Sequence, residues 1–491
     1  MSKPAATEPC DLSAVEARRL IGAKQLSPVE LLDSCLARIA ATNATVNAVV
    51  ALDEPRARAR AAELAEDVAA GRPLGVLHGL PVGVKDLEPV AGMRTTWGSL
   101  IFRDHVPAAD SPMVADVRAA GANIFCKTNT PEFGAGANTR NRVYGATGNP
   151  FNPVLTAAGS SGGSAAALAV GQMPLATGSD YGGSLRTPSA FCGIVGFRPS
   201  VGVVPAPDRA AGLIPWGVLG PMGRSVADAY LLLRAQVAEA PAEPFAVRRL
   251  DLPETLAPAD LATVRAAISA DMGQAPVGKV IRAVFAERAA HLGRIIGRVE
   301  ETHPDFSGVH DIFEIHRGIA FVASHQDKIA AHRDLLDRNV IDNTERGMKL
   351  SMAEVGRGYV EQHKLMKRVL AFFERFDVLI TPTASVSPFP YAQLFVDEIG
   401  GETMPTYMRW LALAYMPTMA LCCAAAIPCG RDAEGMPFGI QIIGRRGADL
   451  KVLRIAAAIE EALSSDPDTA RPIPDLTALG GGQPAESRPP R

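Results

Sequence analysis

The sequence predicts an α/β fold in which helices cover the faces of a sheet. Segments with apolar residues at helical spacing alternate with short apolar runs bounded by turn residues. In "ADSPMVADVRAAGANIFCKTNT", Gly121 ends a helix and a strand follows. Near the C-terminus, the strand "PFGIQIIG" precedes the helix "DLKVLRIAAAIEEAL". The chain has 491 residues, 47% of them hydrophobic, which is ample for the core of such a sheet.

The N-terminal elements, residues 11–70, are predicted to be two amphipathic helices. The first, "LSAVEARRLIGAKQLSPVELLDSCLARIAATN", contains Ser27 as an N-cap, Pro28 in the first turn and Glu30 as the capping acid. The second, "EPRARARAAELAEDVAAG", ends at Gly71. The short apolar run "GLPVGVKDL" follows and is predicted to be a strand.

The middle of the chain, residues 130–223, is rich in Gly and Ser and poor in regular pattern, which indicates functional loops. Beyond it, "SVADAYLLLRAQVAEA" predicts a helix, further helices extend to residue 375, and "FDVLITPTA" predicts a strand. The segment Trp410–Cys429 is uncharged and about long enough for a membrane span, but prolines interrupt it. We interpret it as a helix that ends near Pro417 and a buried strand that ends near Pro428.

One domain is predicted over residues 1–475, because no internal repeat or clean linker divides the chain. Core motifs occupy residues 75–230, a helical, substrate-shaping segment residues 235–375, and closing strands with a helix residues 376–465. Residues 476–491, which include "GGGQPAESRPPR", are predicted to be a disordered tail.

Composition and charge exclude several classes of function. The net charge is −3 and 21% of residues are charged, which favours neither nucleic acid nor an anionic membrane as partner. The N-terminus lacks the apolar region of a secretory signal, and the seven cysteines are too sparse for a disulfide framework. We therefore expect reduced cysteines and a cytoplasmic location. The nine histidines are scattered without ligand spacing, so we expect no metal or organic cofactor.

Ser184 is the candidate nucleophile, in "LATGSDYGGSLRTPSAFCG". Gly182 and Gly183 precede it and allow backbone N–H groups to converge on one point, as in an anion-binding pocket. No histidine lies within this stretch, so the group that removes the serine proton is an open question.

Three residues are candidates for the base. His78 lies in a turn in "VLHGLPVGVKD", where a solvated or capping role is the plainer interpretation. Asp180 is close in sequence, but a carboxylate is a poor base toward a hydroxyl. Lys85 stands in an apolar run, where desolvation would lower the pKa of its amine and leave it neutral. A strand-end position that points to solvent is equally consistent with the pattern.

A second Gly/Ser loop, "AAGSSGGSAAALAVG", opens a helix of small residues and raises the question of a phosphate site. The lysine of a P-loop is absent from it, and its glycine spacing differs from that of dinucleotide-binding loops. A nucleotide site is therefore not favoured.

Taken in order, "GVKD", "AAGSSGGSAAALAVG" and "GSDYGGSLRTPSAFCGIVGFRPS" resemble the amidase signature family. The resemblance continues through "LHGLPVGVKD", "KTNTPEFGAGANT", "GPMGRSVADA", "FDVLITPTA" and "PFGIQIIGR", and it is weak over residues 235–345 and in the tail. It implies the amidase-signature fold, a large mixed twisted central sheet covered by helices on both faces.

The resemblance implies a Ser–Ser–Lys triad, in which Ser184 is the nucleophile, Ser160 bridges and Lys85 is the base. It also implies a cis peptide bond between Gly159 and Ser160. Ser184 would give its proton to Ser160, which would pass its own proton to Lys85.

The same resemblance implies which groups surround the triad. The N–H groups of Tyr181, Gly182, Gly183 and Ser184 would form the oxyanion hole. Three residues would support the loops: Ser161, Asp180 and Arg186. The family usually has a small polar or aliphatic residue at the position of Tyr181. The Tyr181 ring would either shape the acyl pocket or only pack against neighbouring side chains.

The expected function is that of an amidase that cleaves a C–N bond of a hydrophobic or aryl acylamide. Apolar character near the expected site favours this substrate class, and the residues that suggest it are Trp97, Tyr144, Tyr181, Trp216, Phe313, Trp410 and Tyr415. The alternatives are a carbamate (urethane) or amide-oligomer hydrolase and the A subunit of a tRNA-dependent amidotransferase. The expected partner is a small-molecule amide or carbamate, and a homodimer is left open.

Overall fold

The computed structural model describes residues 8–209, 211–246 and 250–480. Its strands are β1 (Val49–Leu52), β2 (Pro81–Lys85), β3 (Asn123–Thr128), β4 (Arg140–Asn141), β5 (Gly145–Ala146), β6 (Gly148–Asn149), β7 (Asn152–Thr156), β8 (Leu175–Asp180), β9 (Val195–Arg198), β10 (Val218–Gly223), β11 (Arg265–Ile268), β12 (Arg298–Glu301), β13 (Val378–Pro382), β14 (Glu398–Ile399), β15 (Glu402–Thr403), β16 (Cys423–Arg431) and β17 (Pro437–Gly444).

The helices surround these strands. They are α1 (Ala14–Gly22), α2 (Pro28–Val46), α3 (Glu54–Ala69), α4 (Pro112–Ala119), α5 (Gly162–Ala169), α6 (Arg186–Cys192), α7 (Val226–Gln236), α8 (Lys279–Ile295), α9 (Val309–His332), α10 (Arg338–Met348), α11 (Met352–Arg375), α12 (Ala412–Met419), α13 (Asp449–Ser464) and α14 (Leu476–Gly480).

Eleven strands form one mixed sheet in the order β1-β3-β2-β8-β10-β9-β16-β17-β13-β11-β12. Strand β2 runs parallel to both β3 and β8, whereas β16 and β17 are antiparallel. Helices α6 and α13 pack on β16 and β17, and α7 packs on β10. The predicted α/β fold with a large mixed sheet is confirmed.

The prediction for the N-terminal region was wrong in its element count. The first predicted helix is two helices, α1 and α2, and α2 begins at the predicted capping box of Ser27 and Glu30. Pro28 explains the break, because proline disfavours helical conformation in the residue before it. Strand β1 was not predicted, since its four residues are held by antiparallel pairing with the distant β3.

The helical segment predicted over residues 235–375 also contributes two strands to the central sheet. Strand β11 lies parallel to β12 on one side and to β13 on the other. Strands β11 and β12 have four residues each, so their pairing with distant partners decides their conformation more than their local pattern does.

Both predicted ends in the Trp410–Cys429 segment lie too early. Helix α12 passes through Pro417, whose ring nitrogen cannot donate to the carbonyl of Leu413. That carbonyl instead accepts a hydrogen bond from Gln441 Nε2 at 2.7 Å, which compensates for the missing donor. Strand β16 continues beyond Pro428 to Arg431 across an irregular register.

The first residues of the predicted disordered tail are ordered. Helix α14 buries Leu479, and the Thr45 hydroxyl donates a hydrogen bond of 2.7 Å to the Leu479 carbonyl oxygen. The remainder of that prediction, residues 481–491, lies outside the described residues. All seven cysteines are free and buried, as their sparse spacing predicted. Within the described ranges, no helix combines the length and the apolar character required to cross a bilayer.

Candidate active site

Lys85 is the last residue of β2, and its side chain points into the protein interior. Its backbone N–H donates to Thr177 Oγ1 of β8 at 3.1 Å, which aligns the strand ends. Only 1% of Lys85 is exposed to solvent. Its Nζ lies 2.7 Å from Ser160 Oγ, 2.8 Å from Ser161 Oγ and 2.9 Å from Ser179 Oγ.

The environment of Lys85 favours the neutral amine. Burial lowers the pKa of Lys85 to about 7, although the negative charges of Asp180 and Glu88 act in the opposite direction. No carboxylate among the described residues lies within ion-pair distance of Nζ, whose neighbours are hydroxyl groups. Lys85 does lie at the end of its strand, but the alternative in which its side chain points to solvent is wrong.

Ser160 and Ser161 precede α5, and the peptide bond between Gly159 and Ser160 is cis. Helix α5 packs closely against the backbone at Asn129 because Gly163 has no side chain. A Cβ at Gly163 would lie 2.2 Å from the backbone nitrogen of Asn129. Ser164 adds a second anchor, since its hydroxyl donates to the carbonyl oxygen of Thr177 at 2.8 Å. The N-terminus of α5 is thus held against β8 beside the Lys85 amine.

Ser184 lies in the turn that joins β8 to α6. Gly183 adopts a φ of +112° in this turn, and a Cβ there would lie 2.4 Å from the Cβ of Ala414. Only glycine satisfies both constraints. Ser184 and Ser160 line the same cavity, and among the described residues the Ser184 hydroxyl donates to no acceptor.

The four N–H groups predicted to form an oxyanion hole differ in their hydrogen bonding. The Gly183 N–H donates to Asp180 Oδ1 at 2.9 Å, so it is already satisfied within the protein. The N–H groups of Tyr181, Gly182 and Ser184 donate to no acceptor within the described part of the chain. Three of the four N–H groups are therefore without an acceptor among the described residues.

Asp180, Arg186 and Arg198 form a buried ionic cluster beneath this turn. The Arg186 guanidinium makes two hydrogen bonds of 3.0 Å to Asp180, and its third nitrogen donates to Gln441 Oε1 at 2.8 Å. Burial acts to raise the pKa of Asp180, but Arg186 and Arg198 hold it well below its usual range. Asp180 is therefore a fixed anion that shapes the loop, and it is excluded as the base.

His78 is also excluded by its position. It is 4% exposed, its Nε2 lies 2.9 Å from the carbonyl oxygen of Leu64, and it is not among the residues that line the cavity.

Sequence reasoning missed Ser179 and Arg198. Ser179 lies two residues after Thr177 in β8, so alternation along the strand turns both side chains toward Lys85. The alternation of side chains along β8 could therefore have predicted that Ser179 lies near Lys85. Arg198, which interrupts the apolar stretch "GIVGFRPS", could have been found by the argument applied to Lys85.

The cavity has a volume of about 490 Å³ and a largely apolar lining. Apolar side chains on several of its walls come from Leu87, Trp97, Met113, Phe133, Ile214 and Leu219. Of the seven aromatic residues predicted near the site, Trp97 and Tyr181 line the cavity. Four others are instead buried in the hydrophobic core, namely Trp216, Phe313, Trp410 and Tyr415, and Tyr144 is not among the residues that line the cavity.

The chain matches the sequence model of the Amidase family over residues 30–453. It is 33% identical over 452 residues to an acylamidase of Rhodococcus erythropolis, covering 91% of this chain and 95% of that protein. It is 30% identical over 475 residues to the A subunit of the glutamyl-tRNA(Gln) amidotransferase of Thermosynechococcus vestitus, covering 91% and 97%. A bacterial aryl acylamidase structure matches with a TM-score of 0.85 at 27% identity, over 96% of this chain and 99% of that chain.

These relatives and the shared fold define an enzyme that hydrolyses carbon–nitrogen bonds in amides. The chain belongs to the amidase signature family. The resemblance drawn from its three sequence motifs is thereby confirmed.

Proposed function

We propose that this enzyme hydrolyses a hydrophobic or aryl acylamide through an acyl-enzyme on Ser184, with Ser160 and Lys85 as the proton relay. The observation that carries the proposal is the 2.7 Å contact between the buried Lys85 amine and the Ser160 hydroxyl. A neutral amine in that position can accept the proton that the nucleophile must lose.

In the acylation step, Ser184 Oγ attacks the amide carbonyl carbon. Its proton moves to Ser160 Oγ while Ser160 gives its own proton to the lone pair of Lys85 Nζ. The N–H groups of Tyr181, Gly182 and Ser184 stabilise the oxyanion that develops on the carbonyl oxygen.

The tetrahedral intermediate collapses when Ser160 returns a proton to the leaving nitrogen. The C–N bond breaks, the amine departs, and Lys85 restores the proton of Ser160. Water then attacks the acyl-enzyme by the same route, which releases the acid and regenerates Ser184.

The three hydroxyl groups around Lys85 suit both of its protonation states. A neutral amine has two N–H donors and one lone pair, whereas an ammonium has three donors. Because each serine hydroxyl can either donate or accept, the surroundings of Nζ stay satisfied when the proton arrives. This lowers the cost of forming the ammonium during the reaction.

A serine-directed probe tests the nucleophile directly. A fluorophosphonate should label Ser184 alone within the site, and peptide mapping should locate the adduct there. Ser184→Ala should abolish labelling and turnover of an aryl acylamide, and Ser160→Ala should cost less because a water can partly bridge the relay. Label on Ser160 or on a cysteine would contradict the assignment.

An amidotransferase component is the second candidate, supported by the 30% identity to that class of protein. The purified chain should hydrolyse a simple aryl amide without a partner protein or ATP. Activity that requires both would favour the amidotransferase instead. Parallel assays with a carbamate of the same aryl group would decide between amide and urethane preference.

A further inference from the structure

One corner of the active-site cavity is polar, in contrast to its apolar walls. The carboxylate of Glu88 and the hydroxyl of Ser111 meet there, and Asp208 lies at the more exposed side. We call these three residues the acidic corner. Neither Glu88 nor Asp208 takes part in the Ser184, Ser160 and Lys85 relay.

The backbone holds this corner in place. The Glu88 N–H donates to the carbonyl oxygen of Lys85 at 3.0 Å, and the Glu88 carbonyl oxygen accepts from Lys127 Nζ. The Ser111 N–H donates to the carbonyl oxygen of Pro89 at 3.0 Å. Glu88 is therefore tied directly to the end of the strand that carries the base.

The polar groups of the corner have unused hydrogen-bonding capacity. Ser111 is 7% exposed, yet its hydroxyl oxygen has no hydrogen-bond partner of normal geometry, and no side chain forms a helix cap there. Within the described ranges, no lysine or arginine forms an ion pair with Glu88; Lys127 pairs with Asp86 at 3.5 Å. A buried hydroxyl without a well-formed hydrogen bond, such as that of Ser111, is costly unless a ligand completes it.

The charges of the acidic corner that have no ion-pair partner among the described residues are negative. Its arginine, Arg209, is neutralised by the buried Glu243 at 2.8 Å. Burial raises the pKa of Glu88 and repulsion from the Asp208 carboxylate acts in the same direction, whereas the Ser111 hydroxyl, Lys127 and Lys85 act to lower it. A cationic group entering the corner would relieve that repulsion, whereas an anionic group would increase it.

We infer that the acidic corner binds an ammonium group of the substrate that is distinct from the scissile amide. This inference rests on the proposed amidase function and deepens it. The substrate class is an apolar amide with a terminal primary amine, on either its acyl or its amine side. The ammonium donates to Glu88 and to Ser111, while the apolar walls hold the chain between the amine and the carbonyl.

Matched substrates test the inference. The acyl series consists of p-nitroanilides of equal chain length that end in an amino, a methyl or a carboxylate group. The amine series pairs N-hexyl with N-(6-aminohexyl) amides of one acid. In at least one series the wild type should prefer the amino terminus over the methyl by at least about tenfold in kcat/KM, and the carboxylate should be the poorest substrate.

Glu88→Gln keeps the size of the side chain and removes its charge, so most of that preference should disappear. Asp208→Asn should reduce it less, because Asp208 is more exposed. Glu287→Gln is the matched control, since Glu287 lies on α8 with 72% of its side chain exposed. The control should keep the wild-type ratio of amino to methyl substrate.

A measurement on the wild type covers the case in which Glu88→Gln does not fold. Hexylammonium should inhibit hydrolysis of the methyl-ended anilide more strongly than hexanol does. Equal inhibition, together with equal turnover of amino and methyl substrates in both series, would overturn the inference while leaving the amidase proposal intact. Failure of the wild type to hydrolyse any amide would instead refute the proposed function.

Discussion

At the scale of single residues, Lys85 can act as a base only while its amine is neutral. Because burial lowers the pKa of Lys85 to about 7, kcat/KM should rise with pH through one ionisation near that value and stay high in mildly alkaline solution. Lys85→Ala should reduce kcat/KM by about 10²–10⁴-fold. Lys85→Arg should fail to restore it, because arginine stays protonated. The measurement is a kcat/KM pH profile of each variant.

His78→Ala is the control for this prediction. His78 is buried and bonded to the Leu64 carbonyl oxygen, so its loss should leave the shape of the pH profile intact. Substantial activity in Lys85→Arg would disprove the role of Lys85 as base. Abolished activity in His78→Ala, with activity kept in Lys85→Ala, would transfer that role to His78.

The same residue should make protein stability depend on pH. A lysine whose pKa is lower in the folded than in the unfolded state makes stability rise with pH between the two values, because the unfolded chain binds the extra proton. Lys85→Met removes this term. Its free energy of unfolding relative to the wild type should therefore fall by about 2 kcal/mol between pH 6.5 and 8.5. Denaturant titrations at both pH values provide the measurement, and a constant difference would mean that native Lys85 stays protonated.

At the scale of elements, α9 supports the loop that contains Tyr181. The Tyr181 ring meets Phe313 edge to face with centroids 6.1 Å apart, and the Arg317 guanidinium lies 5.5 Å from its centroid. Ala320 and Ser324 of the same helix line the cavity. A helix from the region of weak resemblance therefore forms part of the cavity wall.

Tyr181→Thr should consequently change the ranking of bulky against small acyl groups while turnover continues, because the ring is removed but the backbone N–H remains. A panel of acyl p-nitroanilides measures that ranking. Tyr181→Phe is the matched control and should follow the wild type, since the Tyr181 hydroxyl has no hydrogen-bond partner among the described residues. An unchanged ranking in Tyr181→Thr would assign the ring a packing role alone.

At the scale of the whole molecule, we predict that activity requires neither a metal nor an organic cofactor. In the proposed mechanism, the chain itself would supply the nucleophile, the proton acceptor and the oxyanion donors. Activity should therefore survive prolonged dialysis against a chelator, with metal content followed by elemental analysis. Loss of activity that a divalent ion restores would contradict the prediction.

The sequence by itself determined the class of fold and the residue types of the site. Alternating helices and strands follow from local apolar spacing, which needs no knowledge of distant residues. The glycines before Ser184 and the serines before α5 are local too, because each shapes its own turn. These signals sufficed to single out Ser184 as the candidate nucleophile and Lys85 as one of three candidate bases, whereas Ser160 and the choice of Lys85 came from the resemblance to the amidase signature family.

Only the tertiary structure decided how those residues meet. Lys85 and Ser160 are 75 positions apart, and the pKa of Lys85 depends on every element that excludes water from it. The Gly183 N–H was expected in the oxyanion hole, but the carboxylate of Asp180 already accepts it. Strand β11 likewise depends on pairing with the distant β13, and β12 on pairing with β11. Desolvation and long-range pairing are properties of the assembled molecule, so no local stretch of sequence encodes them.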